Sequence, residues 1–110
     1  LVPVHCLNSL KIAVFVPCDI TQSGLDEITS TIANPQLHPD FSNFNFQHDE
    51  TYKICSPNDI LSAFGKFQSD PVELLLDFVE SYQSVKLSSL LSKQHNLPHF
   101  ILPHHDCQVL

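Results

Sequence analysis

The sequence predicts an α/β protein, a three-layer parallel sheet with flanking helices, and three observations carry that expectation. Leu10-Lys11-Ile12-Ala13-Val14-Phe15-Val16, closed by Pro17, is a nearly continuous apolar run, the pattern of a strand buried on both faces. After it, stretches with helical spacing alternate with short strand-like stretches. The third observation is conditional. Val72 to Val79, read as a strand, completes the order strand, helix, strand, helix, strand, helix, strand, which right-handed crossovers turn into a parallel sheet. Strands are expected near residues 10–17, 43–49, 72–79 and 97–102.

Each element has a local cause. Cys18 to Gly24 is a polar loop, and Leu25, Ile28 and Ile32 then recur at helical spacing. Thr21 or Ser23 is placed to cap that helix, Asp26 and Glu27 fall in its first turn, and Asn34-Pro35 ends it, since a residue before proline avoids the α region. Gln36 to Ser42 reads as a loop. Phe44 and Phe46 alternate with Asn43, Asn45 and Gln47 as in a half-buried strand, and polar His48 to Lys53 leads to Cys55. Ser56-Pro57-Asn58-Asp59 is a helix start, with serine at the cap, proline at the first position and an acid at the third. Ile60, Phe64 and Phe67 form its apolar stripe, and Ser69-Asp70-Pro71 stops it. Val72 to Val79 satisfies two patterns. As a strand it is a buried run of fitting length; as a helix, Asp70 caps, Pro71 starts, and Val72, Leu75, Leu76 and Val79 share a face. Periodicity does not separate these for so short a run, and pattern alone leans to helix. Leu87, Leu90 and Leu91 mark a further helix that runs out in Gln94-His95-Asn96, and Leu97 to Leu102, closed by Pro103, reads as a short strand.

Composition sets limits on function. The 110 residues carry 12 acids against 5 bases, a net charge of −7. Every base is lysine, so nucleic-acid binding, which needs a basic face and draws on guanidinium forks, is not expected. No apolar run approaches the roughly 18 residues of a membrane span. A chain that opens Leu1-Val2-Pro3 and holds no methionine is expected to be a processed product or an excised fragment. Its four cysteines, Cys6, Cys18, Cys55 and Cys107, permit three full pairings, and none are spaced as a CxxC redox or zinc motif. Disulfides in an extracellular compartment are the expected use of them.

Four stretches in order resemble the first part of the N-terminal lobe of class I periplasmic-binding-like domains. These are the extracellular sensing modules of class C G-protein-coupled receptors, ionotropic glutamate receptors and receptor guanylyl cyclases. Lys11 to Pro17 resembles the opening strand of that family. Phe46-Gln47-His48-Asp49 through Cys55-Ser56-Pro57 resembles its second strand, cysteine and helix start. Ser69-Asp70-Pro71 through Leu76 resembles its third strand, and Leu90 to Ile101 its passage from helix to strand. The likeness runs from about Leu10 to Asp106, with metabotropic GABA receptors nearest around Phe46 to Leu76. It implies that Val72 to Val79 is a strand, that residues 1–110 are one partial domain of a periplasmic-binding-protein-like fold, and that the remainder of a two-lobed receptor domain or a second receptor subunit is the partner. One departure stands out: where the family places a Gly-Pro and a serine pair, this chain has Asp77 to Ser84 without the glycine.

In such a sheet, ligand sites lie beyond the carboxyl ends of the strands. The resemblance therefore implies a small amino-acid-like ligand held by Asp19, by the Ser81 and Ser84 hydroxyls, by the start of the following helix and by the Tyr82 ring. The competing reading makes Ser81 or Ser84 a helix cap and Tyr82 a surface residue. A Cys18–Cys55 disulfide is also implied, because those residues would close two neighbouring strands and Cys55 matches the cysteine of the family. Assembly through the helices from Leu25 to Ala33 and from Asn58 to Phe67 is the accompanying expectation, and assembly without ligand is an equal one. His99, His104, His105, Asp106 and Cys107 form the densest group of metal-ligand types, but their spacing matches no zinc signature, and no metal or other cofactor is expected. No nucleophile elbow, phosphate-cradling glycine loop or carboxylate pair is visible, so no catalytic residue is expected. The function expected is thus a non-catalytic extracellular receptor module. The alternative is a small secreted, disulfide-stapled and mostly helical protein that binds a protein partner or an apolar ligand.

Overall fold

A computed structural model describes residues 9–33 and 45–102. Among them the order is β1 (Ser9–Pro17), α1 (Gln22–Ala33), β2 (Asn45–Ile54), α2 (Pro57–Ser69), β3 (Leu74–Asp77), α3 (Tyr82–Gln94) and β4 (His99–Ile101). The strands are all parallel, in the spatial order β2-β1-β3-β4. The expected three-layer α/β fold is present.

Alternation along the strands builds two cores. Ile12, Val14 and Val16 of β1 meet Leu74 and Leu76 of β3 and Ile28 and Ile32 of α1 on one face. Ala13 and Phe15, with Leu75, turn to the other face and meet Ile60, Ala63, Phe64 and Phe67 of α2, and Leu87 and Leu91 of α3 pack against that cluster. Phe15, which is fully buried, anchors the second core, edge-on to Phe64 at 6.1 Å between ring centroids. So α1 covers one face and α2 with α3 the other, which is why β1 needs apolar residues at every position from Ile12 to Val16.

The ambiguous run is extended, which corrects the lean of its pattern toward helix. Leu74 and Leu76 enter one core and Leu75 and Val79 the other; a helix, which sets Leu75, Leu76 and Val79 on one face, cannot divide them so. Pairing with β1 runs from Ile12–Leu74 to Phe15–Asp77, and the Glu73 amide (to Lys11 O, 2.7 Å) and the Phe78 amide (to Phe15 O, 2.9 Å) extend it. The mostly helical alternative requires one rod from Pro71 to His95 and is incompatible with this strand.

Two other boundaries differ from expectation. The strand expected near 43–49 is β2, which continues to Ile54 through residues that read as a polar lead-in. It lies at the end of the strand order, where polar residues are tolerated, and β1 supplies partners as far as Pro17–Ile54. The register shifts between Ile12 and Ala13, so that Asp49 is an extra residue in β2. β4 spans only three residues, although the Leu75 amide on Pro98 O (2.9 Å) and the Leu102 amide on Asp77 O (2.8 Å) lengthen its pairing.

The helix ends follow the sequence closely. Thr21 Oγ1 accepts the Gly24 amide at 3.0 Å, making Thr21 the cap of α1. At α2, Asp59 Oδ2 accepts the amides of Ser56 (3.1 Å) and Cys55 (2.8 Å), the acid half of a capping box. At the end of α3 the Asn96 amide reaches Lys93 O (3.3 Å) and the Leu97 amide reaches Ser92 O (2.8 Å), with Asn96 left-handed at φ 54°. This is a Schellman closure built on asparagine. Among the described residues no helix is long and apolar enough to cross a membrane.

Candidate functional site

The chain leaves β1 toward α1 on one face and leaves β3 toward α3 on the other. Since β1 and β3 are neighbours, their outgoing loops diverge and open a crevice beyond their carboxyl ends, the topological switch point of the sheet. A cleft of about 520 Å³ lies there, with Pro17, Cys18 and Asp19 on one side and Glu80, Ser81 and Ser84 on the other.

Three of the four residues expected to bind ligand, Asp19, Ser81 and Ser84, line this cleft together. Ser81 and Ser84 are three apart at the start of α3 and so share a face. Tyr82, one position on from Ser81, turns away: its ring is 77% exposed, lies outside the cleft and sits 5.9 Å from the Lys86 ammonium. Ser81 occupies the cap position of α3, yet its hydroxyl makes no capping hydrogen bond. The position of Ser81 and the exposure of Tyr82 are those of the competing reading, without the side-chain hydrogen bond of a cap. Ser84 is buried beside it.

The electrostatics of the cleft are two-signed. Asp19 and Glu80 contribute carboxylates, while the thirteen-residue helix α3 directs the positive end of its dipole into the same space. The floor is held by the expected Cys18–Cys55 disulfide, which joins the ends of β1 and β2 with Cα atoms 5.0 Å apart. The Cys18 amide also donates to Ile54 O at 3.2 Å, so this wall is fixed by both covalent and hydrogen bonds. As half of a disulfide, Cys18 has no thiolate to act as a nucleophile. Cys6 and Cys107 lie outside the described residues.

A second polar constellation was not anticipated from the sequence. Asp77, fully buried at the end of β3, accepts the Val79 amide on Oδ1 at 3.0 Å and meets His99 Nε2 with Oδ2 at 2.8 Å. On the far side of the imidazole, Ser89 Oγ is 3.5 Å from His99 Nδ1. The order serine, histidine, aspartate matches a nucleophilic triad, but Ser89 sits inside α3, where the backbone amides are committed to the helical ladder and cannot form an oxyanion hole. What the arrangement does is compensate a buried carboxylate. The signal was present: an acid within the run Leu74-Leu75-Leu76-Asp77-Phe78-Val79 must find a partner if that run is buried. His99 is thereby engaged with Asp77. The rest of its group, His104 to Cys107, lies outside the described residues, among which no three His, Cys, Asp or Glu side chains are grouped to hold a metal.

No family model matches the chain, and no curated protein matches it in sequence.

Proposed function

We infer that the chain is part of the first lobe of an extracellular, non-catalytic receptor domain of the class I periplasmic-binding-like kind, whose switch-point cleft takes a small amino-acid-like ligand. One observation carries this reading: Asp19, Ser81 and Ser84, brought from two different loops, face a single cleft at the carboxyl ends of β1 and β3. A zwitterion suits both signs of charge there. Its carboxylate meets the α3 N-terminus and the serine hydroxyls, and its ammonium meets Asp19 and Glu80. The Cys18–Cys55 disulfide agrees with an oxidising, extracellular setting. The fold by itself assigns no activity, so the weight rests on the cleft.

Assembly is the second part of the reading, and the packing favours one edge for it. α1 and α2, the helices expected to mediate it, cover opposite faces of the sheet, but both pack against β2. A partner subunit at the β2 edge therefore reaches both.

Titration calorimetry with the α-amino acids and γ-aminobutyrate tests the proposal. At least one should bind, and Ser81→Ala combined with Ser84→Ala should weaken it about tenfold, the loss expected for hydrogen bonds to a charged group. Absence of binding across the panel, together with a monomer in sedimentation at high concentration, removes both parts of the reading.

A further inference from the structure

The fold leaves the polar side chains of the switch-point cleft unused. Asp19, Glu80, Ser81, Gln83 and Ser84 line it, and none of these side chains has a hydrogen bond or ion pair among the described residues. Acids elsewhere are engaged: Asp70 with Lys11, Glu50 with Lys66, Asp59 with the amides of Cys55 and Ser56, and Asp77 with His99. Ser84 is only 6% exposed, yet it lines the cleft with its hydroxyl unpartnered among the described residues. A buried hydroxyl without a partner costs free energy, and a group that enters the cleft can supply the missing bond. The amides at the start of α3 repeat the pattern. Its first helical bond runs from the Val85 amide to Ser81 O (2.9 Å), which leaves the Tyr82, Gln83 and Ser84 amides ahead of the ladder. Ser81 caps none of them, whereas Thr21 caps α1. Asp19 and Glu80 are the charged side chains of the cleft, and no lysine joins them among the described residues.

We propose that the ligand of this cleft is an amino acid with a cationic side chain, of the arginine, lysine or ornithine kind. This rests on the amino-acid reading of the cleft and adds the charge of the ligand's side chain. A neutral amino acid brings one ammonium to two carboxylates and leaves one of them unanswered. An acidic amino acid sets a further carboxylate against them. A second cation on the ligand answers both, while the α-carboxylate takes the α3 amides and the Ser84 hydroxyl. A diamine or a bare metal ion lacks that carboxylate and meets the positive end of the helix with like charge. Chain order then divides the two acids. Glu80 directly precedes the cap residue of α3, beside the seat of the α-carboxylate, so the α-ammonium on the same carbon falls to Glu80. Asp19, on the β1 side of the cleft, takes the side-chain cation.

Titration calorimetry of the full chain with four probes reads each contact separately. L-arginine is the ligand; L-citrulline keeps its shape without the side-chain charge; agmatine is arginine without its carboxylate; L-glutamate reverses the charge. Arginine should bind at least about fivefold more tightly than citrulline or agmatine, with glutamate the weakest. Asp19→Asn should bring the ratio of arginine to citrulline affinity to about one. Glu80→Gln should weaken both and keep the ratio. Both acids are exposed and without a partner among the described residues, so neither substitution removes a contact of the fold, and circular dichroism checks this. Three results overturn the proposal and leave the amino-acid reading of the cleft standing: citrulline bound as tightly as arginine, a ratio unmoved by Asp19→Asn, or agmatine bound as tightly as arginine. Absence of binding by every amino acid removes both.

Discussion

Cys18→Ser combined with Cys55→Ser should lower stability without altering the folded sheet. The bond joins residues 37 apart in sequence. In the chain-entropy treatment, closing a loop of that size in the unfolded state is worth roughly 4 kcal/mol at room temperature, between the ~3 for a 15-residue loop and the ~4.7 for a 100-residue loop. The folded state loses little, because the Cys18 amide still reaches Ile54 O and β1 remains paired with β2 along its length. A typical domain has only about 5–15 kcal/mol in total, so the variant would sit much nearer its unfolding threshold. With a urea slope of about 2 kcal/mol per molar, the midpoint should fall by about 2 M. The slope itself should rise, since an uncrosslinked chain exposes more surface when unfolded. Urea titration followed by far-ultraviolet circular dichroism reads both quantities. A midpoint shift below about 0.5 M with an unchanged slope would refute the reasoning, because it would mean that the bond does not restrain the unfolded chain.

Four further substitutions probe the packing. Gly65 is exposed within α2, and a Cβ added there meets nothing within 4 Å, so Gly65→Ala should stabilise by about 0.5–1 kcal/mol in the same urea assay. The Ser88 hydroxyl is buried without a hydrogen-bond partner among the described residues, so Ser88→Ala should also stabilise, by about 1 kcal/mol; a loss would show that the hydroxyl has a partner. His99→Leu leaves the buried Asp77 carboxylate without its imidazole and should cost about 3–5 kcal/mol, whereas adding Asp77→Leu should recover a large part of that loss. A simple sum of the two single losses in thermal denaturation would contradict the pairing.

How far the sequence could be read depended on the kind of signal each segment carries. β1 was legible because a strand with a helix layer on each face must be apolar at every buried position, and Ile12 to Val16 is such a run. The start of α2 was legible because Ser56, Pro57 and Asp59 act within one turn, and local chemistry does not need the rest of the chain. β3 was not legible from pattern. Val72 to Val79 satisfies both helical and extended spacing, with a lean to helix, and β1 on one side and β4 on the other decide the matter through contacts distant in sequence. β2 was underestimated because polar residues in an edge strand resemble a loop. In the cleft, the type and chain position of Asp19, Ser81 and Ser84 were readable once a sheet was assumed. The direction of Tyr82 was not, because it depends on where α3 begins. The Asp77–His99 pair escaped notice since its members are 22 residues apart and each made sense alone.

Amide NMR spectra recorded during titration with amino acids test the cleft directly. A ligand seated at the switch point should move the amide signals of Cys18 and Asp19 together with those of Tyr82 to Val85 at the start of α3, and leave those of α1 unmoved. Signals that stay in place at saturating amino acid, or that move only along β4, would contradict the assignment of a ligand to the space between β1 and β3.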